Sequence, residues 1–517
     1  MKSVALHNLG CKVNAYELEV IGQKLQENGY QIVPFDKKAD IYIVNTCTVT
    51  NIADRKSRQM LHRAKKLNPA AVVVAVGCYV QTGKDAALLD ESIDLAVGNN
   101  RKKDLLSILE TFLAQREADK AQGEENPGGK KMGAWDGNEG ETNAGTDGES
   151  GEALVERKTL HHTSVVDIGK EQDYEEMMLN GSEAQQDGQP SSRTRAYIKI
   201  QDGCNQFCSY CIIPYARGRV RSRKQEDILQ EVRVLAESGY REVVLTGIHI
   251  SSYGMDFIGK TDGDYLENGS DLRGTAMERA YLLNLVRRIA EVEGIERIRL
   301  GSLEPRIITP SFAEGLAALP KVCPHFHLSL QSGCDDTLKR MNRHYTTGEY
   351  YEKVQLLRSV FQNPAITTDV IVGFPGETEE EFACTQEFLR RVNFFEMHIF
   401  KYSVRQGTVA ASLPGQVSES VKTIRSAALL ELEKEQSKAY RASYIGTPVT
   451  ILTEECRRIN GISYRIGHTP AYVKAAFPTQ GESNNELITA PAASFLTDEI
   501  LLLHPCKTGC SSIRGPI

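Results

Sequence analysis

Short β-branched apolar runs alternate with helix-length stretches twice along this chain, and that alternation constrains its fold more than any other feature. Near the N-terminus the runs are Ser3–Gly10, Ala39–Thr46 and Ala71–Gly77, with helical patterns at Asn14–Asn28 and Ile52–Leu67 between them. Strands separated by helices pair in parallel, which predicts a doubly wound α/β domain over residues 1–114. A cysteine follows each run: Cys11 in GCKVN, Cys47 in NTCTVT and Cys78 in GCYV. Parallel strands all point the same way, so the three cysteines are expected together on one rim, where open α/β sheets bind ligands.

The second alternation places strands at Ala196–Gln201, Glu242–Ile248, Arg297–Gly301, Phe326–Gln331, Ile366–Val372 and Glu396–Tyr402, with helical patterns such as Gln225–Ser238 and Gly348–Phe361. Six βα units fall short of the eight that close a barrel, so residues 193–440 are expected to form a partial, open (β/α)6 barrel. The period then shortens: PVTILTEE, AYVKAAF and ELITAPAASFL predict a small antiparallel β-barrel over 441–505, of a nucleic-acid-binding type, followed by a tail, 506–517.

Between the two alternations the pattern dissolves. From Glu117 to Ser192 there are 18 acidic and 6 basic residues, so this segment carries −12 of a chain total of −7 and leaves the remainder at +5. Such a segment cannot bury enough apolar surface to offset the entropy of ordering, and 115–192 is expected to be a disordered linker or insertion. Its Trp135 reads as an exposed stray, while His161–Gly169 is apolar enough to dock as a strand. The mildly basic remainder suits an anionic partner such as RNA. No apolar run approaches the length of a membrane span, and Cys11 comes too early for a signal-peptide core, so the expectation is a cytoplasmic protein with no membrane association. In that reducing compartment those of the 12 cysteines that cluster are expected to be metal ligands or catalytic groups rather than disulfides.

Cys204, Cys208 and Cys211 lie in CNQFCSYC, directly after the first barrel strand, where barrel active sites are built. Three thiolates and no fourth leave an open position on a cluster, as catalytic metal sites do. With these residues the chain resembles the radical S-adenosylmethionine superfamily. That resemblance implies a 4Fe-4S cluster on the three cysteines, whose free iron chelates S-adenosylmethionine and whose electron cleaves it, with Tyr210 beside the adenine. Together with LGCKVN, NTCTVT and VGCY it is similar to the methylthiotransferases, which implies a second 4Fe-4S cluster on Cys11, Cys47 and Cys78 and one cavity shared by both clusters. GCKVN and NTCTVT look most like the MtaB type, which acts on threonylcarbamoyladenosine at position 37 of the tRNA anticodon loop.

The same resemblance makes Gly247 and His249, Ser302 and Glu304, Gln331, and Asp369 candidates for contacts to S-adenosylmethionine, with Gly373 lying by the fifth strand beside Asp369. The basic stretch YARGRVRSRK offers Arg217, Arg219, Arg221, Arg223 and Lys224 to an RNA backbone, with one arginine also reaching S-adenosylmethionine. The C-terminal strands look like a TRAM domain, with Tyr464, Tyr472 and Lys474 as RNA contacts. A monomer served by a flavodoxin- or ferredoxin-type electron donor is expected, and CKTGC (Cys506–Cys510) reads as incidental. The competing expectations are the same chemistry on isopentenyladenosine or on a ribosomal-protein aspartate, and a zinc-bearing RNA adaptor without catalysis.

Overall fold

The computed structural model describes residues 1–83, 90–124, 162–181, 194–257, 275–481 and 484–504. Trp135 and the Cys506–Cys510 tail lie outside them. The chain divides into two units: the first holds residues 1–10, 24–48 and 52–167, the second 11–23, 49–51 and 168–517.

In the first unit the β-branched runs become β1 (Ser3–Asn8), β3 (Ile41–Thr46) and β4 (Val72–Gly77), joined by β2 (Gln31–Val33), β5 (Leu95–Val97) and β6 (His162–Ser164) in the order β2-β1-β3-β4-β5-β6. Every pairing is parallel. β3 and β4 are buried along their whole length, which is why they read as unbroken apolar runs without a polar face. Leu61 and Ala64 of the helix Asn51–Leu67 pack with Tyr42, Val44, Val73 and Ala75 in this core.

The expected boundary at 114 falls inside a helix, Leu105–Glu124, and the expected linker 115–192 is in part folded. β6 extends the first sheet by pairing with β5, His162 opposite Leu95. In the second unit the Tyr174 hydroxyl donates to the Lys199 carbonyl at 2.8 Å, and Met177 and Leu179 are buried. Apolar side chains embedded in an acidic composition anchor these stretches, and an average over the segment hides them.

The second unit carries the predicted parallel strands: β7 (Arg195–Asp202), β9 (Glu242–Gly247), β10 (Arg297–Leu300), β11 (His325–His327), β12 (Ala365–Val372) and β13 (Glu396–Lys401). They form two sheets, β10-β9-β7-β8 and β11-β12-β13. Parallel bridges Leu303–Leu328 and Gln331–Val370 carry the chain pairing on past β10 and β11. The outermost strand, β8 (Arg221–Ser222), is antiparallel to β7 and falls in the basic stretch. After a 24-residue helix, Glu419–Ala442, five strands close a barrel in the order β14-β15-β16-β18-β17. These are β14 (Pro448–Ile459), β15 (Ile462–His468), β16 (Lys474–Pro478), β17 (Leu487–Thr497) and β18 (Ile500–Leu503). The pairing is antiparallel except between β16 and β18, so the expected small barrel is closed through one parallel seam. Closure leaves no exposed strand edge.

Candidate active site

The three-cysteine loop begins where β7 ends. Gly203 has φ of +71°, and a Cβ there would lie 1.7 Å from the Arg219 carbonyl oxygen, so only glycine allows the chain to turn so close to the following strand. The Asp202 side chain accepts the Gly203 N–H at 2.8 Å. Across the loop, Ser209 N donates to the Met341 carbonyl (3.0 Å), Ser209 Oγ to the Arg340 carbonyl (2.8 Å) and Asn342 Nδ2 to the Phe207 carbonyl (3.1 Å). Segment 340–342 therefore holds the cysteines in place.

N–H groups aim at each sulfur, that of Ile213 at Cys211 among them. Gln206 N lies 3.5 Å from Cys204 Sγ, and Arg343 Nη1 lies 3.2 Å from Cys208 Sγ. Burial pushes the Cys204 thiol up to about 11 and the Cys211 thiol up to about 12, and the neighbouring cysteines add to both shifts. The desolvated Cys204 and Cys211 thiols resist ionisation until a cation shares their charge, and the N–H donors are placed to stabilise thiolates once it does. The donor set fits a thiolate-ligated metal group with one position left open.

Cys204, Cys208 and Cys211 face a cavity of about 330 Å³, and the same walls include Tyr210, His249, Ser302, Glu304, Gln331 and Asp369. Six of the seven residues expected to contact the cofactor thus meet in one space. His249 Nε2 is 3.4 Å from Glu304 Oε2, its Nδ1 is 2.6 Å from Ser252 Oγ, and its backbone N–H donates to Gln201 Oε1 at 2.7 Å. Burial works to raise the Glu304 carboxyl, but the hydrogen bond and charge of His249, with Arg343 and Arg306, hold it below its ordinary value. Gln331 is in the left-handed region (φ +73°) and exchanges backbone hydrogen bonds with Asp369 and Ile371 across to β12. The seventh residue, Gly247, is a packing position: a Cβ there would meet Gln201 and Ile250 at 2.9 Å. Gly373 N donates to Glu377 Oε2 at 2.6 Å in a turn.

The basic stretch differs from expectation. Arg217, Arg221 and Arg223 are each only 1% exposed. Arg217 pairs with Glu17 (2.6 Å) and Asp202 (3.2 Å), and Lys199 joins the same two carboxylates at 2.8 and 2.7 Å. Arg223 pairs with Glu231 and Glu176, and Arg221 Nη2 donates to the Arg217 carbonyl at 3.0 Å. Buried guanidinium groups with partners of this kind cannot reach phosphate. The sequence pattern hid this because Glu17 is 200 residues from Arg217, and because Glu231, eight residues past Arg223, lies outside the basic run. Arg219, whose guanidinium lies 4.5 Å from the Phe207 ring centroid, and Lys224 are the exposed cations of the stretch.

On the C-terminal barrel Tyr464 is buried. Tyr472 stacks on His468 at 4.5 Å, lies 5.0 Å from His325, and receives Arg195 and Arg299 over its ring. Both tyrosines are engaged in packing, whereas Lys474 is half-buried and pairs with Glu455 at 3.3 Å. In the first unit Thr46 and Gly77 pair across β3 and β4, so Cys47 and Cys78 follow directly on adjacent strands. Both are buried, and Asn99 Nδ2 lies 3.4 Å from Cys78 Sγ. Cys11 is exposed, in the second unit. Arg343 and Gln206 escaped sequence reading, since a lone arginine in RMNRHY carries no spacing signal.

Comparison with known proteins agrees with this geometry. A model described as the Radical SAM superfamily matches residues 198–389, and one described as Uncharacterized protein family UPF0004 matches residues 3–98. The chain is 35% identical over 478 residues to the Bacillus subtilis threonylcarbamoyladenosine tRNA methylthiotransferase MtaB, covering 92% of this chain and 90% of that one. The Aquifex aeolicus protein of the same name is 35% identical, with 88% and 94% covered. The chain belongs to the MtaB-type methylthiotransferase family.

As a member of that family it is a radical S-adenosylmethionine enzyme of tRNA methylthiolation, and it uses S-adenosylmethionine and a 4Fe-4S cluster. A tRNA-2-methylthio-N(6)-dimethylallyladenosine synthase from Opitutus terrae is 34% identical, with 88% of each chain covered, so overall identity separates the two substrate types little. Among the described residues no helix of this methylthiotransferase is long and apolar enough to cross a membrane.

Proposed function

We propose that the enzyme converts N6-threonylcarbamoyladenosine at position 37 of tRNA to its 2-methylthio derivative. The chemistry rests on one observation: three half-buried thiols, each facing an N–H donor, converge on one cavity with His249, Glu304, Gln331 and Asp369. The substrate rests on the names and the 35% identity of the two MtaB relatives.

Cys204, Cys208 and Cys211 would hold the 4Fe-4S cluster of the barrel, and Tyr210, His249, Ser302, Glu304, Gln331 and Asp369 would hold S-adenosylmethionine against it. When bound, the cluster supplies the single electron that splits the sulfonium compound, giving a radical able to attack an unreactive aromatic C–H. The protein orients the target base, keeps water from the cavity, and fixes the cofactor through the His249–Glu304 pair. A second 4Fe-4S cluster on Cys11, Cys47 and Cys78 would serve the sulfur that is transferred. Support for that assignment is the equivalent position of the three cysteines after strands, with Cys47 and Cys78 in paired register. Arg219, Lys224 and Lys474 remain the expected contacts to the RNA backbone, the last on a barrel of TRAM-like kind. A flavodoxin- or ferredoxin-type donor, a monomeric state and a cytoplasmic location complete the reading.

Mass spectrometry of tRNA nucleosides from a strain lacking the gene tests it. Loss of 2-methylthio-threonylcarbamoyladenosine, restored by the intact gene, is the expected result. A normal level with loss of the isopentenyl derivative would assign the other tRNA substrate.

A further inference from the structure

The cavity continues along the inner faces of β12 and β13. Asp369, Ile371 and Phe400 line it, and the register pairs Ile371 with Phe400 and Asp369 with His398. Side chains two apart on a strand share a face, so His398 lies one level, roughly 7 Å, along β13 from Phe400. The next strand brings His327 to the same face: it pairs with Thr367, its Nδ1 is 3.1 Å from Thr367 Oγ1, and its Nε2 is 3.4 Å from Asp369 Oδ2. The His327 and His398 rings are stacked 5.8 Å apart. Phe400 is 46% exposed, an aromatic face open to the cavity.

The ligand atoms of His327, Asp369 and His398 lie within 4.8 Å of one another, a spacing that a divalent cation could use. The surrounding charge disfavours that occupant. Lys12 is near enough to act on His398, His325 and Asp369, and Arg195 and Arg299 act on Lys12 and His325. Glu242 pairs with Arg299 at 2.8 Å and with Arg195 at 3.8 Å, so Lys12 is the cation that favours an anionic group there, with the carboxylate of Asp369 left to accept hydrogen bonds.

Resting on the substrate proposed above, we infer that His327, Asp369, His398 and Lys12 form the subsite for the polar arm on N6 of the target base, and that Phe400 stacks on its purine ring. The threonylcarbamoyl arm carries a carboxylate for Lys12 and the imidazoles, and a hydroxyl and urea N–H groups for Asp369. A base taken out of the anticodon loop gains stacking on an aromatic face. A site built for polar groups also rejects an apolar arm, because its own polar atoms would be left unpaired.

Anticodon stem-loop RNAs carrying either N6-threonylcarbamoyladenosine or plain adenosine at position 37 test this, with binding to the anaerobically reconstituted holoenzyme read by fluorescence anisotropy. The wild type is expected to prefer the modified RNA about tenfold. His398→Ala and Lys12→Met are expected to bind both RNAs alike, and Lys12→Arg to keep the preference. A preference that survives in both His398→Ala and Lys12→Met overturns the assignment, as does one equivalent of zinc held by the wild type and lost in His398→Ala. Turnover of the modified RNA by the wild type is measured in the same preparations: without methylthio product the substrate reading itself fails, whereas product with unaltered variant preference sinks only this subsite.

Discussion

Arg343 donates through Nη1 to Cys208 Sγ at 3.2 Å and through Nε to the Tyr345 hydroxyl at 3.0 Å, while that hydroxyl is anchored on the Ser329 and Leu330 carbonyls. A guanidinium fixed this way is both a charge and a hydrogen-bond donor at one thiolate of the proposed cluster. N–H donors to ligand sulfur stabilise the more electron-rich, reduced state and so raise the reduction potential. Arg343→Met should lower the cluster midpoint on the order of 60 mV, the one-electron equivalent of about 1.4 kcal/mol. A redox titration followed by electron paramagnetic resonance measures it, and an unchanged midpoint would assign Arg343 to packing alone.

Glu17 is fully buried between Lys199 and Arg217. Removing one member of such a network strands buried charge at a cost of about 3–5 kcal/mol. Glu17→Ala should therefore lower stability steeply in denaturant unfolding, whereas Arg219→Ala, at an exposed site, should change it by no more than about 0.5 kcal/mol and instead weaken tRNA binding. The opposite pattern would return the buried arginines to the RNA interface.

The thiols of Cys204 and Cys211 make a pH prediction. Burial raises both, to about 11 and about 12, so in cluster-free protein each keeps its proton well above the pH at which an exposed thiol ionises. Because the unfolded chain gives up these protons at lower pH, the folded cluster-free state loses stability as pH rises above the ordinary thiol range. Alkylation by iodoacetamide at pH 8, mapped by peptide mass spectrometry, should label the exposed Cys456 long before Cys204 or Cys211. Equal labelling would contradict the burial argument.

The fold was legible where each element carries its own signal. β3 and β4 read as strands because a sheet covered on both faces needs continuous apolar runs, and the cysteine loop read as a site because its spacing and its place after β7 are both local. What could not be read depends on partners remote along the chain. Arg217 looks like part of a solvated basic face until Glu17 is placed beside it, and Tyr472 looks like an RNA contact until His325 and Arg299 pack around it. β6 falls within His161–Gly169, the stretch apolar enough to dock as a strand, because pairing with β5 is decided by three residues and not by the acidic average of the segment.

The central claim is that three thiols of one barrel loop, and no fourth, hold a cluster that splits S-adenosylmethionine. Release of 5'-deoxyadenosine by the reconstituted, reduced enzyme tests it most directly, with Cys208→Ala alongside. The account predicts release by the wild type and none by the variant; no release from an iron-loaded wild type, or equal release from both, would contradict it.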